Sequence, residues 1–549
     1  MRSPMPDIDA LLKEEWPAPG NRAAPAGGRR RVLIATSMGG FKQGAVTEKA
    51  LAVALMLRGA DVDVFLCDGA PGCQLTKIGS EPPERIVETD RRLRCPKCFA
   101  QGRANFEPLG VDILTLGENL IEEDFDEAER IAAGCDIGDL KTLRLGKWKI
   151  GEHALAGALR YYARGDFSGE PLADAVARKF VKASVQTARA MERILKARRY
   201  DVVVCNHGVY TPQGVIGEVA RSRNVRVVTW NPAYRRHCFI FSHEDSYHHT
   251  MLAEDAAAWD SLALTPARLE RLLDYLRDRR EAKGDWIWFN NAPDMSYAEI
   301  AGQLALDDRP VVAALTSVVW DACLHYESNA FQSLKDWMLQ TIAYFAHRPD
   351  LQLVVRVHPA EVSGFVKSRD KMAEVIAGAF PTLPENVKIV PPEAVFSTYS
   401  LIDNANAVLV YSTKTGIEAC AAGAQVIVAG EAWIRNKGFT RDATSPDSYR
   451  RVLDELPFAE GLDPGLQRRA LQYAYHFFFR RMIDLPFIAL TGAAAFDIRI
   501  DSLDELKPGV YSGLDCICEG ILKGTPFIHH ADEMLEIEAA AGEAWAVAG

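Results

Sequence analysis

Three short segments in the second half of the chain carry side chains that can hold an anion. Residues 356–361 place an imidazole, His358, between Arg356 and Glu361, and the proline after the histidine fixes the exit of the chain. The second segment, residues 411–418, contributes Ser412, Thr413, Lys414, Thr415, Gly416 and Glu418. The third, residues 430–440, contributes the cations Arg435 and Lys437 between glycines that allow close backbone approach. Hydroxyl groups and free amides at the start of a helix bind phosphate, so this combination predicts an anion site.

Each segment also has a purely structural explanation. A histidine at the end of a strand is often simply packed, and serine or threonine before a helix caps it. A loop rich in glycine and basic residues is often only solvated. The functional interpretation therefore depends on the order of the three segments along the chain.

Two further residues are candidates for catalysis. His207 follows an apolar run in the first half, where an imidazole could take a proton from an acceptor hydroxyl. Asp321 comes after Trp320 in the second half and is the other candidate base. The alternative for His207 is a hydrogen-bonded histidine that takes no part in chemistry.

Four of the eleven cysteines fall within one short region, as Cys67, Cys73, Cys95 and Cys98. The spacing of the second pair, C-x2-C, is typical of a structural zinc site, although the first pair is more widely spaced. Buried free thiols are one alternative, and redox or cluster chemistry is another. Because residues 1–31 contain no secretory signal, the cysteines are predicted to be reduced in the cytosol.

Alternating strands and helices must position these residues. Apolar runs at residues 31–36, 62–66, 200–205 and 225–230 predict strands in the first half. The second half has predicted strands at residues 309–315, 351–357, 386–390, 407–411 and 425–430. Such alternation predicts parallel sheets, in which ligands bind at the carboxyl ends of the strands. All three anion-binding segments follow predicted strands, so we expect them to lie at one edge of one sheet.

The composition restricts the class of protein. The chain has 549 residues with a net charge of −11, which argues against nucleic-acid binding. We expect a flexible tail over residues 1–29, one domain over 30–300, a second over 301–445, and a helical C-terminal segment over 446–549 that packs on both domains. No apolar run is long enough for a transmembrane helix, so a cytoplasmic protein is predicted. The aromatic and basic stretch 473–482 is predicted to be a packed helix, and peripheral contact with the inner face of a membrane is its alternative.

The order of the three segments resembles the C-terminal nucleotide-sugar domain of GT-B glycosyltransferases. More narrowly, over residues 311–440, it resembles capsule and surface polysaccharide biosynthesis proteins, including the bacterial Kdo transferases, whose motifs hold CMP. The resemblance implies an α/β fold of two Rossmann-like domains facing each other across a cleft. It also implies a metal-independent reaction, since fixed dipoles and cations stabilise the leaving nucleotide in this fold class.

The resemblance further assigns roles to single residues. His358 would contact the donor phosphate or sugar, and Glu418 would bind the ribose. Arg435 and Lys437 would offset the charge of the donor. The phosphate would be held by hydroxyl groups of Ser412, Thr413, Thr415, Thr316 and Ser317. Lys414 stands where small residues are commoner in such loops, so this departure adds a cation whose role the family does not define.

The expected activity is transfer of a sugar from a CMP- or UDP-linked donor to a surface polysaccharide or lipid-linked glycan. Three alternatives share the fold or the site. A non-hydrolysing UDP-sugar 2-epimerase would need carboxylates placed for proton transfer, and the sequence does not reveal them. A CDP-polyol phosphotransferase would leave phosphate in the product. A nucleotide-sugar-binding assembly protein would bind the donor without turnover.

Overall fold

Short strands rich in β-branched residues alternate with helices along most of the chain. The computed structural model describes residues 8–16, 29–286, 296–322, 329–364, 366–491 and 495–530. The strands are β1 (Arg31–Ser37), β2 (Asp61–Leu66), β3 (Ile113–Thr115), β4 (Val202–Asn206), β5 (Arg226–Pro232), β6 (Cys238–His243), β7 (Val311–Leu315), β8 (Gln352–Arg356), β9 (Val387–Val390), β10 (Ala407–Val410), β11 (Val426–Val428), β12 (Arg441–Asp442), β13 (Ile483–Asp484), β14 (Ile488–Thr491) and β15 (Ala495–Ile498).

The helices pack on these strands, as expected for parallel sheets whose faces must both be covered. They are α1 (Ile8–Glu15), α2 (Lys42–Leu57), α3 (Pro83–Glu88), α4 (Cys95–Phe106), α5 (Glu122–Ala133), α6 (Ile150–Tyr162), α7 (Ala173–Ala197), α8 (Gln213–Arg221), α9 (Tyr247–Ala253), α10 (Pro266–Arg280), α11 (Tyr297–Leu304), α12 (Leu334–Phe345), α13 (Ala360–Ser363), α14 (Met372–Ala379), α15 (Thr398–Asn404), α16 (Thr415–Ala421), α17 (Pro446–Asp454), α18 (Pro464–Tyr475) and α19 (Ser512–Lys523).

The chain divides into two compact units. Unit 1 comprises Met1–Gly157, Leu172–Tyr247 and Phe477–Gly549, and unit 2 comprises Ala158–Pro171 and His248–His476. These limits differ from the domain boundaries expected at residues 300 and 445. The charged helix α10, which resembles a connection in sequence, is part of unit 2, and so are α17 and α18.

Unit 1 contains a seven-stranded sheet in the order β13-β6-β5-β4-β1-β2-β3. Strands β1 to β5 are parallel, while β6 and β13 are antiparallel to their neighbours. The parallel part has the order 3-2-1-4-5 of a doubly wound Rossmann sheet, with its reversal between β1 and β4.

Unit 2 contains a six-stranded sheet in the order β12-β11-β10-β7-β8-β9, and all its strands are parallel. From β7 the chain builds outward through β8 and β9, then returns to β10 on the other side. The reversal between β7 and β10 is the place where open α/β sheets bind ligands. Two Rossmann-like sheets thus confirm the α/β class expected from the alternation of elements.

Two segments differ from their sequence-based description. Within the expected tail, α1 forms and buries Ile8, Leu11 and Leu12, which share one face of a helix through their spacing. The C-terminal part holds helices α17 to α19, but it also contributes β13 and the hairpin β14–β15. These strands span only two to four residues each, too short for a clear alternating pattern.

The aromatic and basic stretch 473–482 lies in the interior. Phe477 and Phe478 are fully buried, and Arg480 and Arg481 are also buried. The Arg235 guanidinium donates to the carbonyl of Phe478 at 2.7 Å. Such burial supports the packed helix predicted for this stretch and leaves it no exposed aromatic face for a membrane. Among the described residues, no helix has the length and apolar character needed to span a bilayer.

Candidate functional site

The centre of the site is the reversal of strand order in unit 2. Ser317 follows β7 and Ser412 follows β10, and their Oγ atoms are 2.6 Å apart. The two strands are adjacent in the sheet, so their carboxyl ends deliver both hydroxyls to one point. Hydroxyl groups can donate to a phosphate oxygen, and this pair therefore stands where the fold favours a nucleotide.

His358 joins this edge from the neighbouring strand, β8. Its backbone N–H donates to Thr316 Oγ1 at 2.9 Å, which ties the loop after β8 to the loop after β7. The N–H of Ala360 donates to His358 Nδ1 at 3.0 Å. With Nδ1 acting as the acceptor, the proton of the neutral ring lies on Nε2, which is then the ring atom able to donate to a ligand.

The surroundings keep the His358 imidazole neutral. Burial lowers its pKa to about 4, and the nearby charges of Arg356 and Lys414 lower it further, against an opposing effect of Asp321. A neutral imidazole at physiological pH is a hydrogen-bond donor without a charge. Its contribution to ligand binding is therefore expected to be constant across neutral pH.

This low pKa has a consequence for stability. The unfolded chain takes up the His358 proton near its ordinary pKa of 6.5, whereas the folded protein does so only near pH 4. Between these values the unfolded state binds more protons, so the free energy of unfolding falls as the pH falls from 6.5 towards 4. We expect His358→Gln to lack this dependence. Urea unfolding of both proteins across that window measures it, and parallel pH profiles would contradict the assignment.

The loop after β10 supplies further polar groups. Thr413 Oγ1 donates to Thr415 Oγ1 and accepts from the Thr415 N–H, both at 3.3 Å. Helix α16, which begins at Thr415, has seven residues, and such a short helix has a weak dipole. The capacity of this loop to hold an anion therefore depends on its hydroxyl groups and on Lys414.

Behind that loop lies a buried network of charges. Glu418 accepts from Lys414 Nζ at 2.9 Å and lies 3.1 Å from Nε of Arg279, which comes from α10. Tyr399 on α15 donates its hydroxyl to the same carboxylate. The two cations outweigh the effect of burial and hold the pKa of Glu418 at about 2. Glu418 is therefore ionised and engaged with this chain, whereas sequence resemblance predicts a contact with ribose.

Arg279, Tyr399 and Asp285 are the residues of this network that the sequence analysis missed. Asp285 accepts from the Tyr275 hydroxyl at 2.7 Å and pairs with the Arg279 guanidinium. Arg279 stands in a helix with many charges, where one more arginine carries no signal. Only the fold brings α10 against α16.

Four predicted donor-binding residues have structural contacts instead. The Arg356 guanidinium donates to the carbonyls of Pro391 and Ala394, at 2.6 and 3.1 Å. Arg435 donates to the carbonyls of Gly430 and Ala443. Both side chains are at most 3% exposed, so their charge stabilises neighbouring loops and does not face a ligand.

The same holds for Lys437 and Glu361. Lys437 is 2% exposed and donates through Nζ to the carbonyl of Glu254 at 2.8 Å. The Glu361 carboxyl accepts from the N–H of Met372, and burial raises its pKa to about 7. The expectation that Arg435 and Lys437 offset donor charge therefore conflicts with their contacts, because the carbonyls of the chain already occupy both.

Gly430 permits the close approach of the loops after β10 and β11. A Cβ atom at this position would lie 2.5 Å from the backbone oxygen of Tyr411, the residue before Ser412. Gly416 is similarly enclosed, since a Cβ there would lie 2.5 Å from Cδ1 of Ile434. The packing thus requires glycine at position 430, where the contact is with backbone, whereas at Gly416 the contact is with the end of a side chain.

We expect Gly430→Ala to destabilise unit 2 by about 1–3 kcal/mol, because the methyl group meets backbone and not a flexible side chain. Gly378 in α14 provides the control, since a Cβ there would meet nothing within 4 Å. Gly378→Ala should leave stability unchanged or raise it by about 0.5–1 kcal/mol through helix propensity. Thermal unfolding of the two variants checks the contrast, and equal effects would contradict it.

The two candidate bases belong to different units. His207 follows β4 in unit 1, with a positive φ of 64° and its ring 4.9 Å from that of Tyr210, centre to centre. Asp321 belongs to unit 2, where its carboxylate is half exposed and lies 3.5 Å from the guanidinium of Arg160. Asp321 is near enough to His358 to raise the pKa of the imidazole.

The four clustered cysteines surround one cavity in unit 1. They line it together with Arg92, Glu81 and the loop after β1. Among the described residues, no three side chains of His, Cys, Asp or Glu are placed to hold a single metal ion. The zinc site predicted from the C-x2-C spacing is therefore not formed as a single-ion site, since the thiols stand around a space.

Comparison with known proteins gives a family match within unit 2. Residues 291–457 match the family described as capsule polysaccharide biosynthesis protein. That range contains the ends of β7, β8, β10 and β11 and every donor-site residue described above except those of α10 and Asp285. No curated protein matches the chain.

Solved structures give weaker likenesses. The Thermosulfurimonas dismutans KpsC beta Kdo 2,4 transferase is 15% identical, with 56% of this chain and 87% of that chain covered and a TM-score of 0.34. The UDP-GlcNAc 2-epimerase of Neisseria meningitidis is 11% identical, with 81% and 95% covered and a TM-score of 0.25.

The glycosyltransferase SnogD of Streptomyces nogalater is 14% identical, with 81% and 95% covered and a TM-score of 0.22. Each TM-score is below 0.5, so the assignment depends on the family match and on the strand order of this chain. Residues 291–457, which contain all three motifs, thus match the capsule polysaccharide biosynthesis protein family, in agreement with the resemblance that those motifs carry.

Proposed function

We propose that this protein is a glycosyltransferase that binds a nucleotide-activated sugar at the β7–β10 edge of unit 2. The observation that carries the proposal is the meeting of Ser317 and Ser412 at the reversal of strand order. The transferred sugar would join a surface polysaccharide or a lipid-linked glycan, as the family match suggests.

Three kinds of group would hold the donor. The hydroxyls of Ser317 and Ser412 donate to phosphate oxygens, and Nε2–H of His358 donates to a phosphate or sugar oxygen. Lys414 supplies a positive charge close to both. Because these groups are already fixed by contacts within the chain, little reorganisation is needed when charge develops on the leaving phosphate.

The Glu418 network has a supporting role in this proposal. One oxygen of the Glu418 carboxylate forms an ion pair with Lys414, four residues earlier. The other oxygen contacts the guanidinium of Arg279. A lysine held in this way presents its charge at a fixed position. Lys414, at a position where small residues are commoner in the family, would then strengthen phosphate binding by this chain.

The acceptor hydroxyl needs a base, and His207 and Asp321 stay the candidates. Deprotonation of the attacking hydroxyl by an imidazole or a carboxylate contributes typically 10²–10⁴-fold to such reactions. Replacing each by alanine should lower the rate of transfer much more than the affinity for the donor. A loss of donor affinity with an unchanged rate would contradict this role.

Thermal denaturation of the purified chain with CMP, CDP, UDP, GDP and their sugars tests the proposal. A ligand at 100 times its Kd stabilises the folded protein by about 2.7 kcal/mol. Stabilisation by CMP alone indicates a Kdo-like or sialic-acid-like donor. Stabilisation by UDP or GDP alone indicates a hexose donor, and transfer assays then separate a transferase from an epimerase. Absence of any shift would contradict the proposal.

A further inference from the structure

The four cysteines of unit 1 come from two places in the sequence and converge on one cavity. Cys67 directly follows β2, Cys73 lies in the loop beyond it, and Cys95 and Cys98 stand in the first turn of α4. All four line one cavity. Ser37 and Met38, at the carboxyl end of β1, line the same cavity, so it lies at the ligand-binding edge of the first sheet.

The backbone around the cavity is built for close approach to sulfur. The N–H of Gly40 donates to Sγ of Cys98 at 3.1 Å. A Cβ at Gly40 would lie 3.1 Å from that sulfur, and a Cβ at Gly39 would lie 2.3 Å from Cα of Gly102 in α4. Hydrogen bonds from backbone N–H to cysteine sulfur are among the features that tune metal–thiolate clusters.

Charge also favours an anionic centre in the cavity. Arg92 lines the cavity, is 2% exposed, and has its Nη1 at 3.5 Å from the carboxylate of Glu81. Within the described part of the chain, Nε of Arg92 has no hydrogen-bond partner. A metal centre held by four thiolates carries net negative charge, which a buried guanidinium with an unused donor would stabilise.

Burial disfavours the deprotonated, thiolate form of these cysteines. Burial raises the pKa of Cys67, and the neighbouring thiols of Cys73, Cys95 and Cys98 raise it further. Burial likewise raises the pKa of Cys98 to about 11. A bound metal cation reverses this balance, since a coordinating thiol is deprotonated outright.

The spacing of the thiols distinguishes one ion from a cluster. A zinc ion bonds each sulfur at about 2.3 Å, which gathers four thiolates around one point. In the described residues no three such side chains are gathered so closely, although all four cysteines line the same cavity. A cluster fills a larger space because each thiolate bonds a different iron atom.

We propose that Cys67, Cys73, Cys95 and Cys98 bind an iron–sulfur cluster. On binding, each thiol releases its proton and forms one bond to iron, and the iron and sulfide keep their oxidation states. The cluster would join the ends of the segment between β2 and α4, which includes α3, and thereby hold that segment at the edge of the sheet. The site is in unit 1 and does not depend on the transferase proposal for unit 2.

Metal analysis of the full chain, purified without oxygen, tests the proposal. We expect iron and acid-labile sulfide in equal amounts, with several of each per chain, and a broad visible absorption that bleaches with dithionite. A chain purified without metal should regain both after incubation with ferrous and ferric salts and sulfide. Cys95→Ser and Cys98→Ser should lose at least tenfold of the iron, whereas Cys135→Ser, outside the cavity, should keep it.

Three results would overturn the proposal. One zinc per chain, with no iron, would establish a single-ion site. Iron without sulfide would indicate adventitious binding. Absence of both metals, before and after reconstitution, would leave the cysteines as free thiols. If the serine variants fail to fold, the metal and sulfide content of the unaltered chain decides among these outcomes by itself.

Discussion

Glu418→Ala is expected to lower the free energy of unfolding by about 3–5 kcal/mol. The loss arises because Lys414 is left as a buried cation without its carboxylate, close to Arg279, whose charge is then paired by Asp285 alone. Urea unfolding followed by tryptophan fluorescence measures the change. The effect should shrink as the pH falls from 4.5 towards 2, because the unfolded chain then binds the Glu418 proton while the folded protein keeps the carboxylate ionised, and this difference removes the stability that Glu418 contributes.

An exposed ion pair nearby serves as the control. Arg280, next to Arg279 on α10, pairs with Asp403, and both side chains are more than a third exposed. Asp403→Ala should therefore cost no more than about 1 kcal/mol. If the two variants lose the same free energy of unfolding, the buried network around Glu418 contributes no more to stability than an exposed ion pair does.

His358→Ala is expected to weaken nucleotide-sugar binding by about 10- to 150-fold. A hydrogen bond to a charged group contributes about 1.5–3 kcal/mol, which corresponds to that change in Kd. Calorimetric titration with the nucleotide that best stabilises the protein measures it. The fold should persist, because His358 stands at the rim of the sheet and not in its core.

His347 provides a matched substitution. It is exposed at the end of α12 in the same unit, so His347→Ala removes an imidazole without touching the site. We expect its affinity to equal that of the unaltered chain. Equal affinity in His358→Ala would place the donor away from β8 and would contradict the assignment of this histidine.

The sequence predicts most of the two sheets correctly, because buried parallel strands are continuous apolar runs. The predicted strands at residues 351–357 and 407–411 correspond to β8 and β10 within one or two residues. It misses the six-residue strand β6 and also β3 and β12 to β15, which have two to four residues each. Such strands form because the adjacent edge offers hydrogen bonds, which no local pattern records.

The candidate site is predictable only in part. His358, Ser317 and Ser412 meet at one edge because each follows a buried strand, and this follows from the topology of parallel sheets. The contacts of Arg435 and Lys437 could not be predicted, because the charge of a loop residue does not show which group it will bind. Their partners are backbone carbonyls, and every residue type supplies those.

The edge strand β13 has a consequence for how the protein is made. Strand β6 pairs with β13, which the ribosome supplies only after the whole of unit 2 has been synthesised. Until then the nascent sheet of unit 1 ends in an open edge, and open edges recruit other strands. Truncation before Ile483 should therefore yield chains that self-associate, even though every residue of the candidate donor site is present.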